Sequence, residues 1–264
     1  MDGIAQLVGV TVAAAIGSMI NAIAGGGTLV TFPSLIAFGI PPIIANATST
    51  VALWPGALGS MLGYRHLLRG ARAWAVEFAL PSLLGGFAGA LLLLWTPADR
   101  FAHIAPWLVL AATCLFALQG ALVRRARGGS SAADGEHAVE EHLGRPPVKH
   151  LFAQFFVGIY GGYFGAGIGI LMLAILGMMG LRNIHQMNGL KNWGGLCINF
   201  VAAVIFAFSG IVDWAVAIAM ATGATAGGYV ASRGAQRIPQ AVVRRMIIGI
   251  GVAAGLWLYW ARFS

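Results

Sequence analysis

Charge is what this chain has least of. Only 9% of its 264 residues are Asp, Glu, Lys or Arg, against about 25% in an ordinary soluble domain. So few charges do not cover a water-facing surface, and the remainder is 59% hydrophobic with a mean hydropathy of +0.82. Cysteine is nearly absent too. Cys114 and Cys197 lie far apart inside apolar runs, without metal or disulfide spacing, and read as small buried hydrophobes. Acids are scarcer than bases, 8 against 16, which leaves a formal charge of +8. That excess does not point to nucleic acid, because the basic residues sit in short loops between apolar runs, where membrane orientation places them. Enzymatic signatures are missing: there is no Gly-x-Ser-x-Gly, no His-Glu-x-x-His and no P-loop. The reading is therefore a non-enzyme with no cofactor and no ATPase of its own. The first segment lacks a basic leader and a small-residue cleavage site before Gly25, and is expected to be a retained helix.

What the chain does have is long apolar stretches. They fall at 4–24, 28–39, 44–63, 73–95 and 103–123, then at 151–166, 169–180, 187–208, 214–232 and 241–261. About 20 apolar residues span a bilayer, so an all-α polytopic membrane protein is expected. The polar stretch 124–150 separates the two sets and reads as a linker between a first repeat, 1–123, and a second, 151–264. The sets resemble each other. At an offset of 141 residues Gly17, Gly26 and Gly39 fall on Gly158, Gly167 and Gly180, and the order of long runs, short runs and breaks recurs.

Five passes per half is an odd number, so the halves would be inverted relative to one another. With the linker on the cytoplasmic side, thirteen basic residues fall inside and only Arg100 and Arg262 outside, with Lys191 within a run. Treating 151–180 as one pass moves Arg182 and the cluster from Arg233 to Arg245 outside and weakens that asymmetry. Inverted repeats, a common plan of secondary transporters, follow from the first arrangement. The location expected is the inner membrane of a bacterial-type cell.

Two matched pairs of polar or broken segments carry the candidate chemistry. The first pair comprises Asn21 with Gly25, Gly26, Gly27 and Thr28, and Tyr163 with Gly165, Gly167 and Gly169. Each lies between two runs, at a turn where consecutive glycines disfavour continuous helix. Broken backbone inside a bilayer survives only against protein or a watery cavity, and a new helix start there presents N–H groups to an anion. Thr28 and Gly169 are expected to open the two short helices. The second pair comprises Asn46, Thr48, Ser49 and Thr50, and Asn188, Lys191 and Asn192, each in the first turns of a long run. A lysine inside a span is costly and marks a functional site, though this close to a helix start it can instead snorkel to the interface. These sixteen residues are the expected substrate site.

The glycine-rich break running to Pro33, the polar Ala-Thr-Ser-Thr start at 47–50, the weaker repeat of both after the linker, and the Gly-Ile-Val-Asp-Trp turn at 210–214 resemble the TauE/SafE (sulfite exporter) permeases. The resemblance covers nearly the whole chain except the linker. It implies a permease for a small sulfur-containing anion such as sulfite or an organosulfonate, with the breaks and polar helix starts lining the path. Asn188 and Lys191 stand where many members carry a small hydroxyl residue. The mechanism expected is alternating access, with the anion and a coupling ion (proton or sodium) as partners, alongside the lipid bilayer. Homo-oligomerisation is left open. The alternatives are a membrane scaffold that docks a partner through the linker, and a passive anion channel.

Overall fold

The computed structural model describes residues 3–64, 71–126, 148–181, 183–234 and 240–263. The centre of the linker, Arg182 and most of the basic loops used in the orientation count lie outside the described residues. Among the described residues the chain is wholly helical. The elements are α1 Gly3–Ala24, α2 Thr28–Ala37, α3 Pro42–Tyr64, α4 Arg72–Trp95, α5 Ala98–Ala126, α6 Val148–Tyr163, α7 Ile168–Met178, α8 Ile184–Phe208, α9 Trp214–Gly234 and α10 Gln240–Phe263. Each corresponds to one apolar run. Helix α5 starts five residues earlier than its apolar run, because Pro97 opens it and its first turn, with Asp99 and Arg100, lies before the apolar part. Helix α6 likewise takes in Val148 to His150 from the end of the stretch read as linker, and α5 reaches three residues into its beginning.

Among the described residues six helices (α1, α4, α5, α8, α9 and α10) are long and apolar enough to cross a membrane, while α2 and α7 are apolar but short, at 10 and 11 residues. The burial pattern is that of a lipid-facing body. Ile4, Val8, Val12 and Ile16 line an exposed stripe of α1, and Val76, Leu80, Leu84 and Phe87 line one on α4. Meanwhile Ser18, Thr31, Asn46, Thr48, Ser49, Ser82, Gln154 and Lys191 are buried.

The two halves repeat each other at the level of backbone hydrogen bonds. Helix α2 ends with Gly39 at φ +87°, its N–H bonded to the Ile36 carbonyl and the Ile40 N–H reaching back to Leu35. Helix α7 ends with Gly180 at φ +97°, bonded to Gly177, and the Leu181 N–H reaching back to Leu176. Both glycines are in the left-handed region that a helix stop of this kind requires.

Packing repeats as well. Helix α1 packs on α9 as α6 packs on α4; α3 packs on α9 as α8 packs on α4; α2 touches α10 as α7 touches α5. The first two of these crossings are glycine-lined. A Cβ at Gly85 or Gly89 would run into the carbonyls of Phe155 and Ile159 on α6, and one at Gly223 or Gly227 into those of Thr11 and Ala15 on α1. Equivalent helices also meet each other antiparallel. Asp99 of α5 pairs with Arg262 of α10, Trp107 with Tyr259, and Gly251 packs on Thr113. In α3 and α8, Trp54 stacks on Phe200, and Thr48 is bonded to Asp213 just beyond the end of α8.

Candidate functional site

The two glycine breaks face each other. Gly25 sits at φ +79°, which ends α1 by bonding its N–H to the Asn21 carbonyl at 3.0 Å. A Cβ at Gly25 would lie 3.2 Å from the Cα of Gly169, so the breaks touch across the interface of the halves. Thr28 opens α2 as expected. The second short helix opens one residue before Gly169, at Ile168, because Gly165 and Gly167 both adopt positive φ (+81° and +80°) and Gly167 becomes its N-cap. The second break is held by a residue the sequence reading passed over. The Tyr160 hydroxyl donates to the Ala166 carbonyl at 2.7 Å, while the Tyr160 carbonyl accepts from Phe164 and Gly165.

Beside the meeting point lies a cavity of about 40 Å³. The first half contributes Asn21, Ala22, Gly25 and Ala57, and the second Ile168, Gly169, Met172, Lys191, Asn192, Gly195, Leu196 and Asn199. Lys191 is only 3% exposed, and no ion pair to it forms among the described residues. Its ammonium therefore does not snorkel to a helix end. Asn192 Nδ2 is buried and donates no hydrogen bond to the described residues. A buried cation and an unused buried donor are both expensive to leave uncompensated. What the wall lacks is an acceptor of negative charge.

Of the sixteen candidate residues, the structure brings Asn21, Gly25, Gly169, Lys191 and Asn192 to this cavity. Gly26 and Gly27 are buried in packing against Phe116 and Gly17. Asn188, one turn before Lys191, is partly buried and does not line the cavity. Asn46, Thr48, Ser49, Thr50 and Tyr163 form a separate hydrogen-bonded group. Asn46 Nδ2 donates to the Tyr163 carbonyl at 2.9 Å, the Thr31 and Ser49 hydroxyls are 2.6 Å apart, Thr50 bonds to the Asn46 carbonyl, and Thr48 Oγ1 accepts the Asp213 N–H at 3.0 Å. Phe32, Phe101, Phe164 and Tyr163 pack edge to face beside this group, with Phe32 and Phe164 centroids 5.2 Å apart.

Asn199 and Met172 are cavity residues that sequence reasoning missed. Asn199 lies two turns beyond Lys191 and Asn192 on the same side of α8, so its spacing was a usable signal. Met172 had none, since it is one apolar residue within an apolar helix. No group of His, Cys, Asp or Glu among the described residues is arranged to hold a metal ion.

The family model described as Sulfite exporter TauE/SafE matches residues 10–258. The chain is 29% identical over 251 residues to the probable membrane transporter protein ORF9 of Sinorhizobium, covering 94% of this chain and 90% of that protein. It is 27% identical to a probable membrane transporter protein of Haemophilus influenzae, covering 88% and 86%. It is 28% identical to the probable membrane transporter protein YfcA of Escherichia coli, covering 89% and 82%. No solved structure matches the chain significantly.

Proposed function

Because the chain belongs to the sulfite exporter TauE/SafE family of membrane transporters, we propose that it is a secondary transporter of a small sulfur-containing oxyanion, working by alternating access. The observation that carries this is Lys191: a buried lysine, unpaired among the described residues, in a cavity whose wall also holds the unused donor Asn192 Nδ2. An anion entering there gains a charge-assisted contact and satisfies a stranded donor at once. Asn21 and Asn199 supply further amides, and the start of α7 supplies the favourable end of a helix dipole. A volume of about 40 Å³ suits a compact oxyanion, since a single water needs at least about 10–15 Å³ on the same measure. An organosulfonate would seat its sulfonate here and leave its tail toward the opening.

Alternating access needs two bodies that rock about a shared site. Both halves line the cavity, and their breaks meet at Gly25 and Gly169. Antiparallel pairing of α3 with α8 and of α5 with α10 supports inverted repeats, and inverted repeats support two exchangeable orientations. The basic-residue count supports a cytoplasmic linker, with the start of α8 on the same side and the start of α3 on the other.

The test is flux through proteoliposomes holding the purified protein, with sulfite, thiosulfate, sulfate, sulfoacetate, taurine and chloride as solutes. The expected result is saturable uptake of one or a few sulfur oxyanions, accelerated by the same anion on the far side. Flux without saturation or acceleration marks a channel. No flux of any anion, with the protein folded, rejects the reading.

A further inference from the structure

The polar start of α3 holds acceptors that the anion cavity does not use. Asn46 is 1% exposed, and its Nδ2 donates to the Tyr163 carbonyl. A carbonyl only accepts, so that bond fixes the amide and leaves Oδ1 as the outstanding atom. Oδ1 is buried and accepts no hydrogen bond from the described residues. One turn along the same side of α3 lies Ser49, also 1% exposed, with its hydroxyl 2.6 Å from that of Thr31. Thr31 directs its proton toward the Gly27 carbonyl at 3.4 Å, so Ser49 donates to Thr31 and keeps both of its own lone pairs. Three buried oxygens thus carry lone pairs that no further hydrogen bond among the described residues takes up.

The internal repeat says what is missing. At an offset of 142 residues Asn46 and Ser49 fall on Asn188 and Lys191. In the second half a positive charge is built into the helix start. In the first half the same helix position carries a hydroxyl, hydrogen-bonded to that of Thr31. Asp213 donates its N–H to Thr48, while its carboxylate accepts the Val216 N–H at the start of α9. The acceptors are uncharged, which suits a monovalent ion; divalent ions recruit carboxylates directly. Broken helices in transporters commonly place coupling cations beside such breaks.

We infer that Asn46 Oδ1, Ser49 Oγ and Thr31 Oγ1 are the core of a binding site for a small alkali cation, sodium, whose occupancy accompanies that of the anion. The coupling role rests on reading the Lys191 cavity as the anion site; the cation site itself does not.

Thermal unfolding of the purified protein, without anionic substrate, tests the site at constant chloride and ionic strength with sodium, potassium or choline as the cation. Sodium is expected to raise the midpoint saturably, more than potassium and much more than choline. Ser49→Ala and the near-isosteric Thr31→Val each shift the half-saturating sodium concentration upward by about tenfold or more, and either variant suffices if the other does not fold. Lys191→Ala keeps the sodium response. Equal responses to the three cations, or a sodium response unchanged in both hydroxyl variants, overturns the site and leaves a buried water as the partner of Asn46. Flux in proteoliposomes separates the two readings. Sodium stabilisation without any anion flux defeats the transport proposal alone, and anion flux indifferent to a sodium gradient defeats the coupling alone.

Discussion

In the first turns of α3, Asn46, Thr48 and Thr50 are bonded to the Tyr163 carbonyl, the Asp213 N–H and the Asn46 carbonyl, and Ser49 to Thr31. At the equivalent start of α8, Lys191 is 3% exposed, and among the described residues it has no ion pair and Asn192 Nδ2 has no acceptor. The two segments look alike in sequence and have diverged in what they do. One ties α3 to α2, to the end of α6 and to the loop after α8, and leaves Asn46 Oδ1 as its one oxygen with no partner at all among the described residues. The other keeps a charge and a donor in reserve beside a cavity. The two similar helix starts thus differ most at one position, where the hydroxyl of Ser49 is matched by the ammonium of Lys191.

The sharpest way to break the comparison is to make the second half like the first. Lys191→Ser or Lys191→Met should lower anion flux thirtyfold or more, on the scale of about 2–5 kcal/mol for removing one partner of a buried charged contact. The unfolding midpoint of the ligand-free variant should not fall, because a buried unpaired charge has been removed. Loss of flux together with a lower midpoint would make Lys191 a structural residue.

The meeting of the breaks comes next. Gly25→Ala forces a left-handed residue, about 1–2 kcal/mol, against Gly169 only 3.2 Å from the new Cβ. Gly39→Ala imposes the same strain with nothing within 4 Å. Thermal unfolding should show the first to be the costlier, and flux should fall only in the first. Asn192→Asp is expected to raise the half-saturating anion concentration about tenfold, by giving Lys191 an internal partner. Asn192→Leu should do less. The smallest effect is Thr48→Val, which removes the acceptor of the Asp213 N–H and should cost about 1 kcal/mol of stability with the anion affinity unchanged.

Helix number and order were legible because each apolar run is bounded by glycine, proline or a charged loop. Gly25 and Gly39, the Pro41–Pro42 pair, Thr96–Pro97 and Asp213 all stand at ends of helices. Which polar residues share a cavity was not legible. A helix apolar on most sides gives no phase from its hydrophobic pattern, so Ser49 and Lys191 looked equally available although one is engaged by Thr31. Asn199 was overlooked as a single amide in a long apolar run, and Tyr160 because its hydroxyl works on backbone six residues ahead. The opening of α7 was misplaced by one residue. Three glycines alternate at 165–169, and only backbone angles reveal that the first two take positive φ while Gly169 is already helical.

The central claim is that Lys191 and its neighbours hold an anion. The direct measurement is thermal stabilisation of the purified, detergent-solubilised protein by sulfur oxyanions, compared between the native chain and Lys191→Met. The account predicts selective, saturable stabilisation of the native chain, about 2.7 kcal/mol at one hundred times the dissociation constant, and none in a folded Lys191→Met protein. Equal stabilisation of both proteins by the same anion would contradict it.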